Sequence, residues 1–498
     1  MFISHSRKVL FFILVISIFQ FNLEAQSSFY YTDGSKFKII EYFINTGSLD
    51  LSYPLIKPYD INELKRELKQ VNRQSRYYEL LSDDLNSYKT GTEEVQSVFL
   101  KGEVKVNFES GQITKSRNGF KISANYPVGN FALKTSFQFD QNFKDDPTYS
   151  GELGEWYYGR FDEGYVNYSD TSLGVYAAYG RVQRNLGFYS SHSLILSDNP
   201  YSYDHLWLQY KNDLFSFSSI FARLEDKYGY DNRVKDSSSY GWYKRFFSLH
   251  RLDVNLTNNF KLALTEVVLY GGKNQQLLSY YLNPLVPFYI SKTNERRSTD
   301  ESDANIYLAL DLWYKPFKNL TLYSQVFIDD IDFKAENRAK FPERKAIYGN
   351  VTVTDFVVPF SQFGVSYTWV ENWTYTSFYT WANYNIHNRG IGFPFNSYQQ
   401  VQFSFDYFGF NSMIISANIA YSEKGENSLE NSFGATFEKF PMGTVEDILN
   451  LNLRATYFFA WNWISEIVLS YDNIGNHEHI LSKTLNRFKC DFNLKVSF

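Results

Sequence analysis

The sequence is poor in sulfur and in chain breakers: 498 residues include one cysteine, three methionines and twelve prolines. A single thiol, Cys490, can form no intramolecular disulfide, so the fold is not a disulfide scaffold. Long apolar runs are equally scarce. A mean hydropathy of -0.37 excludes a bundle of membrane-spanning helices. The one apolar stretch, Val9–Phe21, is about 13 residues, short of the ~20 that a spanning helix needs. It follows Arg7 and Lys8 and precedes Leu23-Glu24-Ala25, the pattern of a secretory signal peptide over residues 1–25. No cysteine lies near the cut to carry a lipid anchor. Loss of Arg7, Lys8 and Glu24 moves the formal net charge from -5 to -6. A mildly acidic chain argues against nucleic acid as a partner.

Catalytic signatures are also missing. There is no G-x-S-x-G elbow, no H-E-x-x-H and no Walker-type glycine loop. Of seven histidines, only His477 and His479 lie close together, and His477-Glu478-His479 reads as a solvated turn rather than a metal site. No metal, no cofactor and no enzymatic activity are expected.

What the chain has in excess is aromatic side chains: 41 Tyr, 46 Phe and 9 Trp, or 19% of the residues. Aromatics favour strands and gather at the two interfaces of membrane barrels. From Glu93 onward apolar and polar residues alternate with period two. Leu100, Gly102, Val104, Val106 and Phe108 interleave with Lys101, Glu103, Lys105 and Asn107. At the C-terminus Cys490, Phe492, Leu494, Val496 and Phe498 face one way, and Lys489, Asp491, Asn493, Lys495 and Ser497 the other. Alternation alone also fits a soluble antiparallel sheet with one wet face. The number of strands, the aromatics at their ends and the terminal Phe498 favour a membrane barrel. A terminal aromatic on such a strand resembles the signal read by the outer-membrane barrel assembly machinery, which becomes an expected partner together with outer-membrane lipid.

Connections supply a second test, because these barrels have short periplasmic turns and longer outer loops. Short turns are expected at Pro127-Val128-Gly129, Ser169–Thr171, Lys211–Asp213, Thr257–Asn259, Pro316–Asn319, Glu371-Asn372, Gly409–Ser412 and Ala460–Asn462. Longer polar stretches lie between them, including 331–353 and 385–399. Eight turns and nine loops join about eighteen strands. The expected architecture is an all-β transmembrane antiparallel barrel over residues 93–498. It is preceded by a small α-helical periplasmic segment over 26–92. In that segment Asp60 is placed as N-cap with Glu63 three residues on, a capping-box spacing. Leu64, Leu68 and Val71 then share a face, and a second helix is expected over Ser75–Tyr88.

Parity along the strands places candidate functional residues. With Leu252, Val254 and Leu256 toward lipid, Arg251, Asp253 and Asn255 face the lumen. Likewise Asp311 and Trp313 point inward while Leu308, Leu310 and Leu312 point out, and Gln325 and Asp329 follow on the next strand. Arg251, Asp311, Gln325 and Asp329 are therefore expected to form an inward network. It either offsets desolvation, as in any polar lumen, or closes the pore and anchors inward-folded loops. In or beside the long loops, Arg181, Arg184, His205, Trp207, Arg296 and Arg297 combine guanidinium groups with aromatic faces. That chemistry suits the carboxylates and apolar ring faces of an anionic glycan.

Several segments together resemble the Wzi capsule-assembly family in its Bacteroidetes-type form. They are Tyr53-Pro54 through Lys57-Pro58-Tyr59; Gly187 followed by Ser193-Leu194-Ile195-Leu196-Ser197 and Asp204-His205-Leu206; and Leu249-His250-Arg251-Leu252. Next come Glu266 with Tyr270-Gly271, Tyr281-Leu282-Asn283-Pro284-Leu285, and Leu322-Tyr323-Ser324-Gln325 leading to Ile328-Asp329-Asp330. Their order and spacing over about residues 50–330 carry the match. The resemblance implies an eighteen-stranded outer-membrane barrel with an obstructed lumen and a lectin-like, non-enzymatic role in binding and attaching capsular or exopolysaccharide. Two other classes compete with it: a passive porin-like channel, which requires an open lumen, and an outer-membrane lipase or deacylase, which requires a Ser–His–acid cluster near the outer rim.

Overall fold

A computed structural model describes residues 29–30, 34–71, 75–88, 97–109, 115–151, 158–189, 193–231, 239–294, 304–330 and 341–497. The signal sequence, the boundary at 93, Arg296, Arg297 and Phe498 lie outside the described residues.

Eighteen long antiparallel strands close into one barrel. The first nine are β1 (Ser97–Glu109), β2 (Lys115–Val128), β3 (Phe131–Asp140), β4 (Gly159–Asp170), β5 (Val175–Val182), β6 (Tyr203–Lys211), β7 (Phe215–Arg223), β8 (Gly241–Thr257) and β9 (Phe260–Gly272). The rest are β10 (Ala304–Phe317), β11 (Leu320–Asp330), β12 (Arg344–Thr354), β13 (Ser361–Val370), β14 (Tyr398–Tyr407), β15 (Met413–Lys424), β16 (Glu446–Ala460), β17 (Trp463–Gly475) and β18 (Leu485–Ser497). The barrel closes where β18 pairs antiparallel with β1, from Lys489↔Glu109 to Ser497↔Lys101.

Period-two alternation gives each strand one apolar and one polar face, and the barrel turns the apolar face outward along most of its wall. Val365 and Phe403 are cross-strand partners on β13 and β14. Both are exposed on the outer surface, as are Leu133 on β3, Leu264 on β9 and Leu308 on β10. No helix among the described residues is long and apolar enough to cross a membrane; the strands make the crossing.

Seven of the eight expected short turns fall at or within a few residues of observed ones, and one does not. The chain turns at 355–360, between β12 and β13, whereas Glu371-Asn372 opens the long loop 371–397. Residues 344–353, expected as loop, belong to β12, and 373–384, expected as a strand, lie inside the barrel. The two displacements compensate, so the strand count is unchanged. The cause is composition: Trp373-Thr374-Tyr375-Thr376 has strand-like residues, but here they pack in a core instead of a sheet.

The N-terminal residues form three helices, α1 (Gly34–Asn45), α2 (Ile61–Leu68) and α3 (Arg76–Ser87). Asp60 caps α2, accepting from the backbone N–H groups of Asn62 and Glu63 at 2.8 and 3.0 Å. Glu63 does not close the capping box. Its carboxylate accepts from Ser52 N–H and pairs with Lys211 of the barrel wall at 2.9 Å. Helix α1 is hard to read from periodicity, because Phe37, Ile39, Ile40, Tyr42, Phe43 and Ile44 make a wide apolar face and Lys38, Glu41 and Asn45 only a narrow polar stripe.

The fold makes a direct prediction for the lipid-facing wall. Phe403, 55% exposed at mid-strand, should tolerate Leu, whereas Phe403→Arg should destabilise the barrel by ~2–4 kcal/mol. Urea unfolding midpoints in lipid vesicles measure both.

Candidate functional site: the occupied lumen

Inward-facing wall positions ordinarily line water in a barrel of this size. Here many are aromatic: Trp207, Tyr307, Trp313, Tyr323, Phe327 and Tyr348 are all buried. They belong to one continuous core cluster that also contains residues of the N-terminal helices and of two long loops. Around these residues the lumen is packed like a protein interior.

At the short-turn end the occupant is the N-terminal segment, tied to the wall around the circumference. Tyr42 Oη donates to Asp355, Asn45 to Gln362 (2.8 Å), and Lys38 pairs with Asp406. Lys315 and Lys261 donate to the carbonyls of Ile44 and Ser52 at 2.8 and 3.0 Å. Tyr77 Oη reaches the Phe410 carbonyl at 2.7 Å.

Toward the long-loop end the occupants are loops 183–202 and 371–397. Leu194, Ile195 and Leu196 of the first are fully buried. Tyr375 and Tyr384 of the second donate to the carbonyls of Leu194 and Ile195 at 2.8 and 2.7 Å. Gly392 permits this approach, since a Cβ there would lie 2.2 Å from the Leu194 carbonyl oxygen. The segment and the first loop meet directly: Ile56 and Lys57 pair in strand fashion with Leu186 and Asn185. Lys57 Nζ donates to the carbonyl of Gly187 at 2.8 Å and also to that of Phe188. Burial pushes Lys57 down to about 7, and nearby Glu41 up to about 8.

Polar groups on the wall hold these occupants. Arg251 is fully buried and binds Asp253 through Nε and Nη2, with Nη1 on Asp311 at 2.8 Å and Thr265 at 3.1 Å. Asp311 Oδ1 accepts from Tyr323 Oη (2.6 Å) and Gln325 Nε2 (2.7 Å). Gln325 also donates to the Leu186 carbonyl and accepts from Leu194 N–H, so the network ends on the backbone of loop 183–202. Asp329 stands apart from it. Four residues along β11, ~13 Å at strand rise, it faces Arg344 (3.4 Å) and accepts from Tyr375 N–H (2.7 Å) of the other loop. Arg245, with the same parity as Arg251, was not singled out by sequence. It pairs with Glu225 and donates to the carbonyls of Asn383 and Asn385.

Arg184, His205 and Trp207 come together, but inside the barrel instead of on an outer surface. The Arg184 guanidinium lies 3.8 Å over the Trp207 ring and donates through Nε to His205 Nε2 at 2.7 Å. That bond leaves the imidazole proton on Nδ1, which faces the Tyr203 carbonyl at 2.9 Å. Phe29 packs on the Trp207 ring at 5.3 Å. Arg181 sits on the outward face of β5, paired with Asp204 across the strands at 2.9 Å. His205 and Trp207 alternate with outward Leu206 and Leu208, a parity that already points them inward.

A polar cleft of about 480 Å³ lies between the N-terminal segment and the wall, within the ~300–1,000 Å³ of small-molecule sites. Lys121, Lys134, Asp162 and Glu163 line the wall, Trp461 and Asn462 one end, and Tyr201 and Arg389 the other. At that second end three loops are knotted together. Arg389 binds Asp146 and Thr148 at 2.5 Å each, and the Asn199 carbonyl at 3.0 Å. The guanidinium carbons of Arg160 and Arg389 lie 3.9 and 4.3 Å from the Tyr201 ring centroid. Burial would raise the Asp146 carboxyl, but hydrogen bonds from Thr148 and Tyr201 and the charge of Arg389 outweigh it and hold it below the usual range.

The buried network yields a stability prediction. Arg251→Met leaves Asp253 and Asp311 buried without their cation, and should cost about 3–5 kcal/mol. Arg251→Lys should recover only part of that, because one ammonium cannot reproduce the forked contacts. The temperature at which the folded band is lost in detergent gel electrophoresis reads the difference.

No family model matches the chain, and no curated protein matches it. Among solved structures it is similar to Wzi of Escherichia coli, described as an outer-membrane protein involved in group 1 capsule assembly and a carbohydrate-binding β-barrel. The TM-score is 0.63 at 12% identity, over 96% of this chain and 99% of that one. OccK10 and OccK1 of Pseudomonas aeruginosa align at TM-scores of 0.46 and 0.48 and 10% identity, over 82% of this chain and 99% and 100% of theirs. With the closed sheet, the first of these similarities establishes the fold as an eighteen-stranded barrel of the outer-membrane type.

Proposed function

We propose that this protein is a Wzi-type surface-polysaccharide protein of the bacterial outer membrane. It binds capsular or exopolysaccharide at its loop end and helps to attach or organise it, without catalysis. The short-turn end, with the N-terminal segment, then faces the periplasm. The observation that carries the reading is the occupied lumen: a wall lined with buried aromatics and sealed by the chain's own segment and loops suits a binding platform better than a conduit. The fold shared with Wzi supports it.

The glycan contact surface is assigned to the loop end around Arg160, Tyr201 and Arg389, where the Arg389 guanidinium and the Tyr201 ring border the polar cleft and Arg160 stacks on the same ring. A carboxylated sugar would receive N–H donors from Arg160 and meet hydroxyl-binding groups along the cleft. Arg184, His205 and Trp207 then act as plug anchors. The cleft itself favours a second reading, a narrow channel for small hydrophilic solutes, because it is lined from Trp461 to Arg389.

Purified protein in nanodiscs should bind the polysaccharide of its own host. Arg160→Ala should weaken binding by about 1.5–3 kcal/mol, on the order of tenfold or more. Unchanged affinity would remove the loop-end cleft from the glycan surface. Liposomes carrying the protein should not swell in small sugars; rapid swelling would favour the channel.

A further inference from the structure

A barrel wall in a bilayer presents apolar side chains at every second position, and one part of this wall does not. The register Arg251↔Thr265 and Asp253↔Ala263 fixes those four residues on the inner face. The intervening positions therefore face outward, including Ser219 on β7, Ser248 and His250 on β8, and Glu266 on β9. Four polar side chains thus stand on the membrane side, yet Ser219, Ser248 and His250 are buried. Outward-facing Phe246, Val268, Tyr270 and Ala304 beside them are buried too and form a cluster separate from the lumen core.

Their cover is the loop between β9 and β10, folded back over the outside of the barrel. Its short helix α4 (Phe288–Asn294) lays the Phe288 ring on the His250 imidazole, centroids 4.0 Å apart. Tyr281 packs on Tyr270 at 4.7 Å and on Phe288 at 5.8 Å. The Glu266 carboxylate accepts the backbone N–H groups of both Phe288 and Tyr289 at 2.8 Å. The Glu266 carboxylate is thereby paired instead of facing acyl chains, where an unpaired polar group would cost several kcal/mol.

The far side of this cover is apolar. Leu285 is 84% exposed and Tyr289 69%, with Leu277 and Ile290 about half exposed. These side chains continue the belt made by Leu264 and Leu308 on the same strands, 51% and 49% exposed. Glu266 stands six residues beyond Phe260 at the short-turn end of β9. At ~3.3 Å per residue and ~40° tilt it lies about 15 Å up a ~25 Å apolar band, in the half nearer the loops.

We infer that residues 275–294 are a lipid-embedded clasp: their apolar ridge is immersed in the outer leaflet, and acyl chains are its occupant. Continuity with the apolar belt selects lipid over water, since an isolated aqueous ridge of this kind would be an association site. An amphipathic segment in the interface is the physical form.

The test uses the full-length protein in proteoliposomes, with Cys490→Ser removing the native thiol. Nitroxide labels are placed at Leu285→Cys and, separately, at Ile290→Cys. Leu264→Cys serves as the lipid-facing reference and Glu430→Cys as the exposed loop reference. Power-saturation measurements read accessibility to oxygen and to a soluble nickel chelate. Both clasp sites should match Leu264→Cys, open to oxygen and closed to nickel. Nickel accessibility equal to that at Glu430→Cys would place the clasp in water and overturn the proposal. Exclusion of both reagents would overturn it in favour of a protein neighbour, such as a second copy of this chain. Both labelled residues are exposed, so substitution opens no cavity, and either site alone decides the outcome.

Discussion

The burial of inward-facing aromatic side chains is the constraint on which the rest of this structure depends. A sheet of eighteen strands encloses more space than wall side chains can fill. Trp207, Tyr307, Trp313, Tyr323 and Tyr348 project into that space and would meet water if it were empty. They are buried because α1, loop 183–202 and loop 371–397 enter from the two ends and pack against them. The inner face of this wall therefore carries buried aromatics beside its polar side chains, and the outer face is apolar along most of its length.

Polar groups inside the barrel then have a defined task. Carbonyl and N–H groups carried in by loops need partners, and wall side chains supply them. Gln325 satisfies Leu186 and Leu194, and Arg245 satisfies Asn383 and Asn385. The buried guanidinium groups need partners in turn: Glu225 pairs with Arg245, and Asp253 and Asp311 pair with Arg251. Such ion pairs are weak sources of net stability; their effect is to select one position for each loop. Under the proposed glycan-binding role, loops joined at Arg389 and Tyr201 present a fixed surface to the ligand, which lowers the ordering cost of binding.

Much of the barrel was legible in the sequence because period-two alternation and turn chemistry are local. Strand number, the inward parity of Arg251 and Asp311, and the Asp60 cap could be read directly. The lumen's contents were less so. Helix α1 shows only a narrow polar stripe, Lys38, Glu41 and Asn45, of which Glu41 and Asn45 are buried. Residues 373–384 alternate like a strand but are held by core packing, while β12 was hidden between polar stretches. Arg184, His205 and Trp207 are the residue types of a glycan site, and only the strand parity of His205 and Trp207, or knowledge that Phe29 packs on Trp207, reveals their interior position. The covered outer wall was likewise hidden, since His250 and Glu266 break the lipid-facing pattern and their cover lies far along the chain.

The central claim is that the barrel is closed by its own chain, and single-channel recording of the intact protein in a planar bilayer tests it most directly. The account predicts silence, or at most brief small openings through the residual cleft. Large, steady conductance would mean that segment and loops do not seal the lumen, and would contradict the account.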